Sequence, residues 1–147
     1  MILVPEAYES QPKLKDSPAV TAFYEYHESM QEAWDGPALL VFSDGDSVGA
    51  SLDRNGLRPA RFMLTKSESG KETLHVMSEV GVTKILNQFS DKVGSTANGQ
   101  QLIQSGRLGP GEMLSVNLKE GKVYLNDELK RSVAATRLTH NQSLFNP

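Results

Sequence analysis

The sequence predicts an α+β domain built on antiparallel strands, and three observations carry that expectation. An amphipathic helical stripe comes first, and an apolar run and an alternating run follow it across an Asp-Gly bend. Two more strand pairs then meet at glycine-containing turns.

The helix begins at Asp16-Ser17-Pro18, which offers a capping oxygen and a proline for the first helical position, while Pro5 and Pro12 keep the residues before it extended. Val20, Phe23, Tyr24, His27, Met30 and Trp34 fall three or four apart, one stripe that packs on the sheet and ends before Asp35-Gly36-Pro37. His27 fills that face, and Glu25, Glu28 and Glu32 form the solvated one. Ala38 to Phe42 is an unbroken apolar run, the pattern of a strand covered on both faces. Asp44-Gly45 turns the chain, and Ser47 to Asp53 alternates, with Val48, Ala50 and Leu52 on one side.

Asp53-Arg54-Asn55-Gly56-Leu57-Arg58-Pro59 is a dense polar turn in which Asn55-Gly56 is a type I′ or II pair. Ala60 to Lys66 and Thr73 to Ser78 then pair across Ser67 to Gly70. Phe62, Leu64, Leu74 and Val76 are expected to be their buried face, with His75 on the other. Glu79 to Val82 closes the strand. Asn87 to Gln104 is polar and reads as a flexible surface loop. Gly106 to Gly111 has the glycines of a phosphate loop but no Lys-Ser/Thr after it, so it is read as a turn. Glu112 to Leu118 and Val123 to Leu125 form a last hairpin across Lys119 to Lys122. Asn126-Asp127 caps a short helix, Glu128 to Thr136, and residues 135–147 are expected to be an irregular tail.

With 147 residues, 38% hydrophobic and 22% charged, the chain has the composition of one globular domain. A net charge of −3 with interspersed signs gives no footprint for nucleic acid, and no apolar run has bilayer-spanning length, so neither nucleic acid nor membrane is expected as a partner. The chain carries no compartment signal. It also holds no cysteine, which excludes disulfides, thiolate ligation of an iron–sulfur cluster and a thiol nucleophile within it. The His spacing does not suit zinc, and Asp44, Asp46 and Asp53 lack the further oxygens of a calcium loop, so no metal site is expected.

Several ordered words, MILVPEAY at the start, EAWDGPALLVFSDG, LDRNGLRPARF, MSEVGV at Met77 to Val82 and SGRLGPGEMLSV, closely resemble the second half of the glutaminase domain of glutamate synthase, of the large-subunit or ferredoxin-dependent type. The resemblance covers residues 1–134. It implies the C-terminal half of a class II glutamine amidotransferase domain of the N-terminal-nucleophile hydrolase type, a four-layer αββα sandwich of antiparallel sheets of which this chain supplies part. The family's nucleophile is an N-terminal cysteine whose α-amino group is the base, and here Met1-Ile2 opens the chain instead. The family's oxyanion Asn-Gly pair and its glutamine-binding residues lie upstream of the equivalent of Met1, so Asn55-Gly56 is not that pair and no catalytic residue carries over. Arg54, Asn55, Gly56, Arg58, Ser78 and Glu79 are the candidate neighbours of the substrate pocket, with Arg54 or Arg58 ion-paired to Asp53 or to upstream acids.

The resemblance further implies hydrolysis of L-glutamine to glutamate and ammonia, with ammonia passing to 2-oxoglutarate. FMN, an iron–sulfur cluster and the contact with ferredoxin or another electron donor belong to other domains of such an enzyme. No cofactor is expected in this chain. The cytoplasm or the plastid stroma is the expected compartment. Strands without neighbours leave the isolated chain poorly soluble or partly molten. The competing readings are a non-catalytic truncated or partner-binding remnant of the domain, and a small-ligand binding module unrelated to glutamine.

Overall fold

The computed structural model describes residues 1–5, 11–79 and 93–145, with side chains through Thr136. Two compact units divide it, Met1–Leu57 with Pro110–Pro147, and Arg58–Gly109.

In the first unit α1 (Pro12–Lys15) and α2 (Pro18–Glu28) precede the hairpin of β1 (Leu39–Ser43) and β2 (Ser47–Leu52); β7 (Met113–Asn117), β8 (Lys122–Leu125) and α3 (Asn126–Phe145) complete it. The four strands form one antiparallel sheet in the order β1-β2-β7-β8. Leu14, Val20, Phe23, Tyr24 and Ala134 make the core between helices, with Ala19 and Val133 packed against it. His27 is half-buried on this helix as expected, its ring 4.3 Å from that of Phe23.

The stripe itself is shorter than its spacing suggests. α2 stops at Glu28, leaving Met30 and Trp34 exposed, because Ser29 and Met30 tighten into a turn and Trp34 N–H donates to the Leu3 carbonyl instead of continuing the helix. Ser17 precedes the helix without a capping side-chain bond, and Pro12 opens α1 instead of an extended segment. The run Ala38 to Phe42 is also not doubly covered. β1 lies at the sheet's edge, with Val41 71% and Phe42 40% exposed. The turn at Asp44 forms as read: its carboxylate accepts from the Asp46 and Ser47 N–H groups, and these donors, Ser47 first, hold it below the usual carboxylate range. At the other end of the unit α3 continues for twenty residues, from Asn126 to Phe145, so helix replaces most of the expected irregular tail. Its start is not capped by Asn126, whose carboxamide oxygen accepts the Met113 N–H across from β7.

The second unit holds β3 (Arg61–Ser67), β4 (Glu72–Met77), β5 (Thr96–Ala97) and β6 (Gln100–Arg107), an antiparallel sheet in the order β4-β3-β6-β5. The hairpin β3–β4 forms as expected, with register Arg61↔Met77 to Lys66↔Glu72. Two readings are corrected. The part of the expected polar loop that is described is instead a tight hairpin: Ala97 pairs with Gln100 around Asn98 (φ +50°) and Gly99 (φ +70°), the left-handed pair of a type I′ turn. The sheet's buried cluster is Met63, Met77 and Leu102, whereas on the expected face only Phe62 is buried and Leu64, Leu74 and Val76 are half-buried. A bulge between Leu64 and Thr65 is part of the reason. It seats Leu102 opposite Thr65 and so delivers a leucine to the Met63 side. His75 shares that side, and burial lowers its pKa. Residues 80–92, with the Val80 to Val82 closure and the first part of the loop, lie outside the described residues.

The α+β class with two antiparallel sheets is therefore as the sequence suggests. At Gly49 the Phe42 ring lies across the strand and an added Cβ would stand 2.6 Å from the Leu114 carbonyl oxygen. Gly49→Ala is expected to destabilise the first unit by about 2 kcal/mol, measured by urea unfolding, since the backbone neighbour has no rotamer by which to yield.

Candidate functional site

Asp53 organises the turn that the sequence marks as the candidate site. It is buried, 2% exposed, at the end of β2. Its Oδ1 accepts the Ala38 N–H at 3.1 Å and its Oδ2 accepts the Asn55 N–H at 3.1 Å. Burial pushes its pKa up, but the N–H donors of Ala38, Asn55 and Leu57 outweigh it and hold the carboxyl below its usual range. The main chain of Asp53 works as well, its carbonyl accepting from Gly56 at 3.0 Å and Gly111 at 2.8 Å.

The Gly56 bond closes a four-residue turn with Arg54 and Asn55 in the middle, so Asn55-Gly56 is not the central pair of a type I′ or II turn. Gly56 is its last residue, at φ +61°, and an added Cβ would stand 2.9 Å from Pro110 Cα. Both the backbone angle and the contact require glycine there.

Of the candidate residues, Arg54, Asn55 and Gly56 are brought together on this turn in the first unit, the arginine and asparagine exposed. Arg54 Nη2 lies 3.5 Å from Asp35 Oδ1, an upstream acid, whereas the Asp53 carboxylate is taken by backbone N–H groups. Arg58, Ser78 and Glu79 are exposed residues of the second unit, placed near one end of its sheet by the Arg61↔Met77 pair.

A buried lysine that sequence reading missed supports the turn from behind. Lys130 of α3 is 1% exposed and donates to the Gly111 carbonyl at 2.8 Å and to Gln11 Oε1 at 3.1 Å. Gln11 Oε1 also accepts from Asn126 Nδ2, and Gln11 Nε2 donates to the Pro110 carbonyl. Gln11, Pro12, Lys13, Pro110, Glu112, Asn126 and Asp127 line a cleft of about 410 Å³ beside this network. Burial pushes the Lys130 ammonium down to about 8 against the upward pull of Glu112 and Asp127. A signal for it was present, since Lys130 stands four residues before Ala134 on the apolar side of α3. Among the described residues no group of three or more His, Cys, Asp or Glu side chains could hold a metal ion. The chain has no thiol. The turn thus has donors and cations suited to anions and amides, and no nucleophile of its own for attack on an amide by sulfur.

A family model for the class-II glutamine amidotransferases matches residues 1–141, and the chain belongs to that family. Among its relatives, a ferredoxin-dependent glutamate synthase 2 of Synechocystis is 46% identical over 134 residues, 91% of this chain and 8% of the relative. The chloroplastic ferredoxin-dependent glutamate synthase of rice, Oryza sativa, is 48% identical over 136 residues, 92% of this chain and 7% of that protein. Ferredoxin-dependent glutamate synthase 1 of Arabidopsis thaliana, chloroplastic/mitochondrial, is 46% identical over 136 residues, again 92% and 7%. The chain therefore spans less than a tenth of the length of these relatives.

Asp53→Ala leaves the Ala38 and Asn55 N–H groups without acceptors and is expected to cost about 3 kcal/mol in urea unfolding, with Asp53→Asn costing less. Because the folded carboxyl titrates below its unfolded range, the stability it contributes is present above about pH 4 and is lost as pH falls through the folded pKa. Lys130 acts with the opposite sign. Its unfolded pKa, about 10.4, exceeds the folded one, so the unfolded chain holds the proton longer and stability should rise between about pH 8 and 10.4, by at most about 3 kcal/mol. Lys130→Met should flatten that rise in unfolding curves taken across the window.

Proposed function

We propose that this chain forms part of the glutaminase module of a glutamate synthase, in which ammonia released from L-glutamine is passed to 2-oxoglutarate for reductive synthesis of L-glutamate. The observation that carries this reading is the 46 to 48% identity to ferredoxin-dependent glutamate synthases over 91 to 92% of the chain. The relatives' dependence on ferredoxin supports ferredoxin as the electron donor of the whole enzyme, with FMN and an iron–sulfur cluster held by its other domains. The chloroplastic and cyanobacterial relatives support the plastid stroma or the cytoplasm as the compartment. No helix among the described residues is long and apolar enough to cross a membrane.

In this reading the chemistry is divided. A Cys-initiated segment of the same domain brings the thiol, its α-amino base and the oxyanion donors, and attacks the side-chain amide of glutamine. This chain contributes the rigid turn at Asp53, whose fixed backbone sets Arg54, Asn55 and Gly56 beside the pocket; Arg58, Ser78 and Glu79, in the second unit, are the further candidate neighbours. An arginine or an asparagine amide there meets the charged ends or the carboxamide of glutamine, which orients the substrate and leaves the covalent step to the thiol.

The sheet of the first unit also supports a companion. Val41 and Val48 project exposed from one face of the hairpin, and β1 has one neighbour among the described residues, so its outer N–H and C=O groups suit a further strand. The Cys-initiated half of a relative's domain, co-expressed with this chain, is expected to restore glutamine hydrolysis, while this chain alone releases no ammonia above the blank. Ammonia release by the pure chain, or no release from a folded pair, would sink the proposal. Arg54→Ala in the active pair should raise the KM for glutamine roughly tenfold with a smaller effect on kcat, as expected for lost uniform binding.

A further inference from the structure

The second unit places two arginines where a sheet ordinarily avoids them. Arg61 of β3 and Arg107 of β6 are direct cross-strand partners. Leu108 N–H donates to the Ala60 carbonyl at 2.9 Å, which makes residues 60 and 108 a hydrogen-bonded pair. The next pair, Arg61 and Arg107, is then a non-hydrogen-bonded one, whose side chains start about 4.5 to 5.5 Å apart on the same face. Like charges so placed repel, and neither guanidinium forms an ion pair within the described residues. Met77, the other neighbour of Arg61, is buried and apolar, and Glu79 pairs with neither arginine.

Ser105 stands on the same face, one step along β6 and opposite buried Met63. Its hydroxyl makes no hydrogen bond among the described residues, although the side chain is half-buried. Arg61, Met63, Ser105 and Arg107, with Phe62 and Gly106, line a cleft of about 150 Å³. Phe62 and Gly106 pair on the opposite face of the two strands, where the Phe62 ring lies over the glycine. Arg61, Arg107 and Ser105 thus present two fork-shaped donors and a hydroxyl from one face of adjacent strands, beside the buried Met63. That donor set matches the two oxygens of a carboxylate, and the volume suits a molecule of few heavy atoms.

We propose that Arg61, Arg107 and Ser105 form a binding site for a small free carboxylate, whose charge relieves the repulsion between the two guanidiniums. The site belongs to the second unit and does not depend on which amidotransferase the chain serves.

Phenylglyoxal labelling of the full chain, read residue by residue by peptide mass spectrometry, tests it with succinate as the probe. Excess succinate is expected to slow modification of both Arg61 and Arg107 about tenfold, while Arg131, whose guanidinium donates to the Lys13 carbonyl in the first unit, changes little. Chloride at matched ionic strength is expected to leave both rates unchanged. Arg107→Gln should abolish the protection of Arg61, and Ser105→Ala should weaken it while leaving the far-ultraviolet dichroism as it was. Equal protection by chloride, equal protection at Arg131, or full protection of Arg61 in Arg107→Gln each overturns the site. Protection by a glutamate-bearing peptide but not by succinate would assign the arginines to a protein partner and also overturns it.

Discussion

The first unit depends on one carboxylate sealed from water. Asp53 receives the N–H of Ala38, where the chain enters β1, and that of Asn55, where it leaves β2, so a single side chain fixes both open ends of the hairpin. Its carbonyl extends the same control to Gly111, at the start of the β7 segment. A buried carboxylate with few partners is costly, and the donors arranged around this one turn that cost into a demand for one geometry. Lys130 then binds Gly111 from the helix side and Gln11 from the amino-terminal side. Five segments, at Gln11, Ala38, Asp53, Gly111 and Lys130, are thereby tied through two charged residues.

This arrangement explains why an exposed, charge-rich turn can be rigid. Arg54 and Asn55 face solvent, but the N–H groups of Asn55 and Gly56 and the Asp53 carbonyl are committed, and Gly56 is pinned against Pro110. Rigid placement of exposed donors is what a substrate pocket needs from its walls. Under the proposed function, that rigidity would hold the glutamine amide in place for attack by a thiol.

Much of this was legible in the residues. The hairpins at Asp44-Gly45 and Ser67 to Gly70, the return strand after Lys119 and the amphipathic start of α2 all have local causes, and local causes are what a sequence displays. The strand β6 was hidden because Gln100, Gln101, Gln104 and Ser105 give it a polar surface, although Asn98-Gly99 announced its turn. Leu102's place on the Met63 side could not be read because a bulge in pairing is a property of two strands and appears in neither alone. At the candidate site the turn itself could be read, with its glycine and its arginines. Asp53's role as an acceptor and the Lys130 support could not, because each joins residues far apart in the chain.

The bulge has a further effect on how this unit can vary. Gln104 stands opposite Leu64 and Leu102 opposite Thr65, so Ile103 is the surplus residue that the ladder absorbs. On its far side lies the short β5–β6 arm; on its near side lies the stretch from Gln104 to Arg107. A ladder that already accommodates one unmatched residue uncouples these two stretches, so the arm can lengthen or shorten over evolutionary time while the alternation beyond Gln104 keeps its phase.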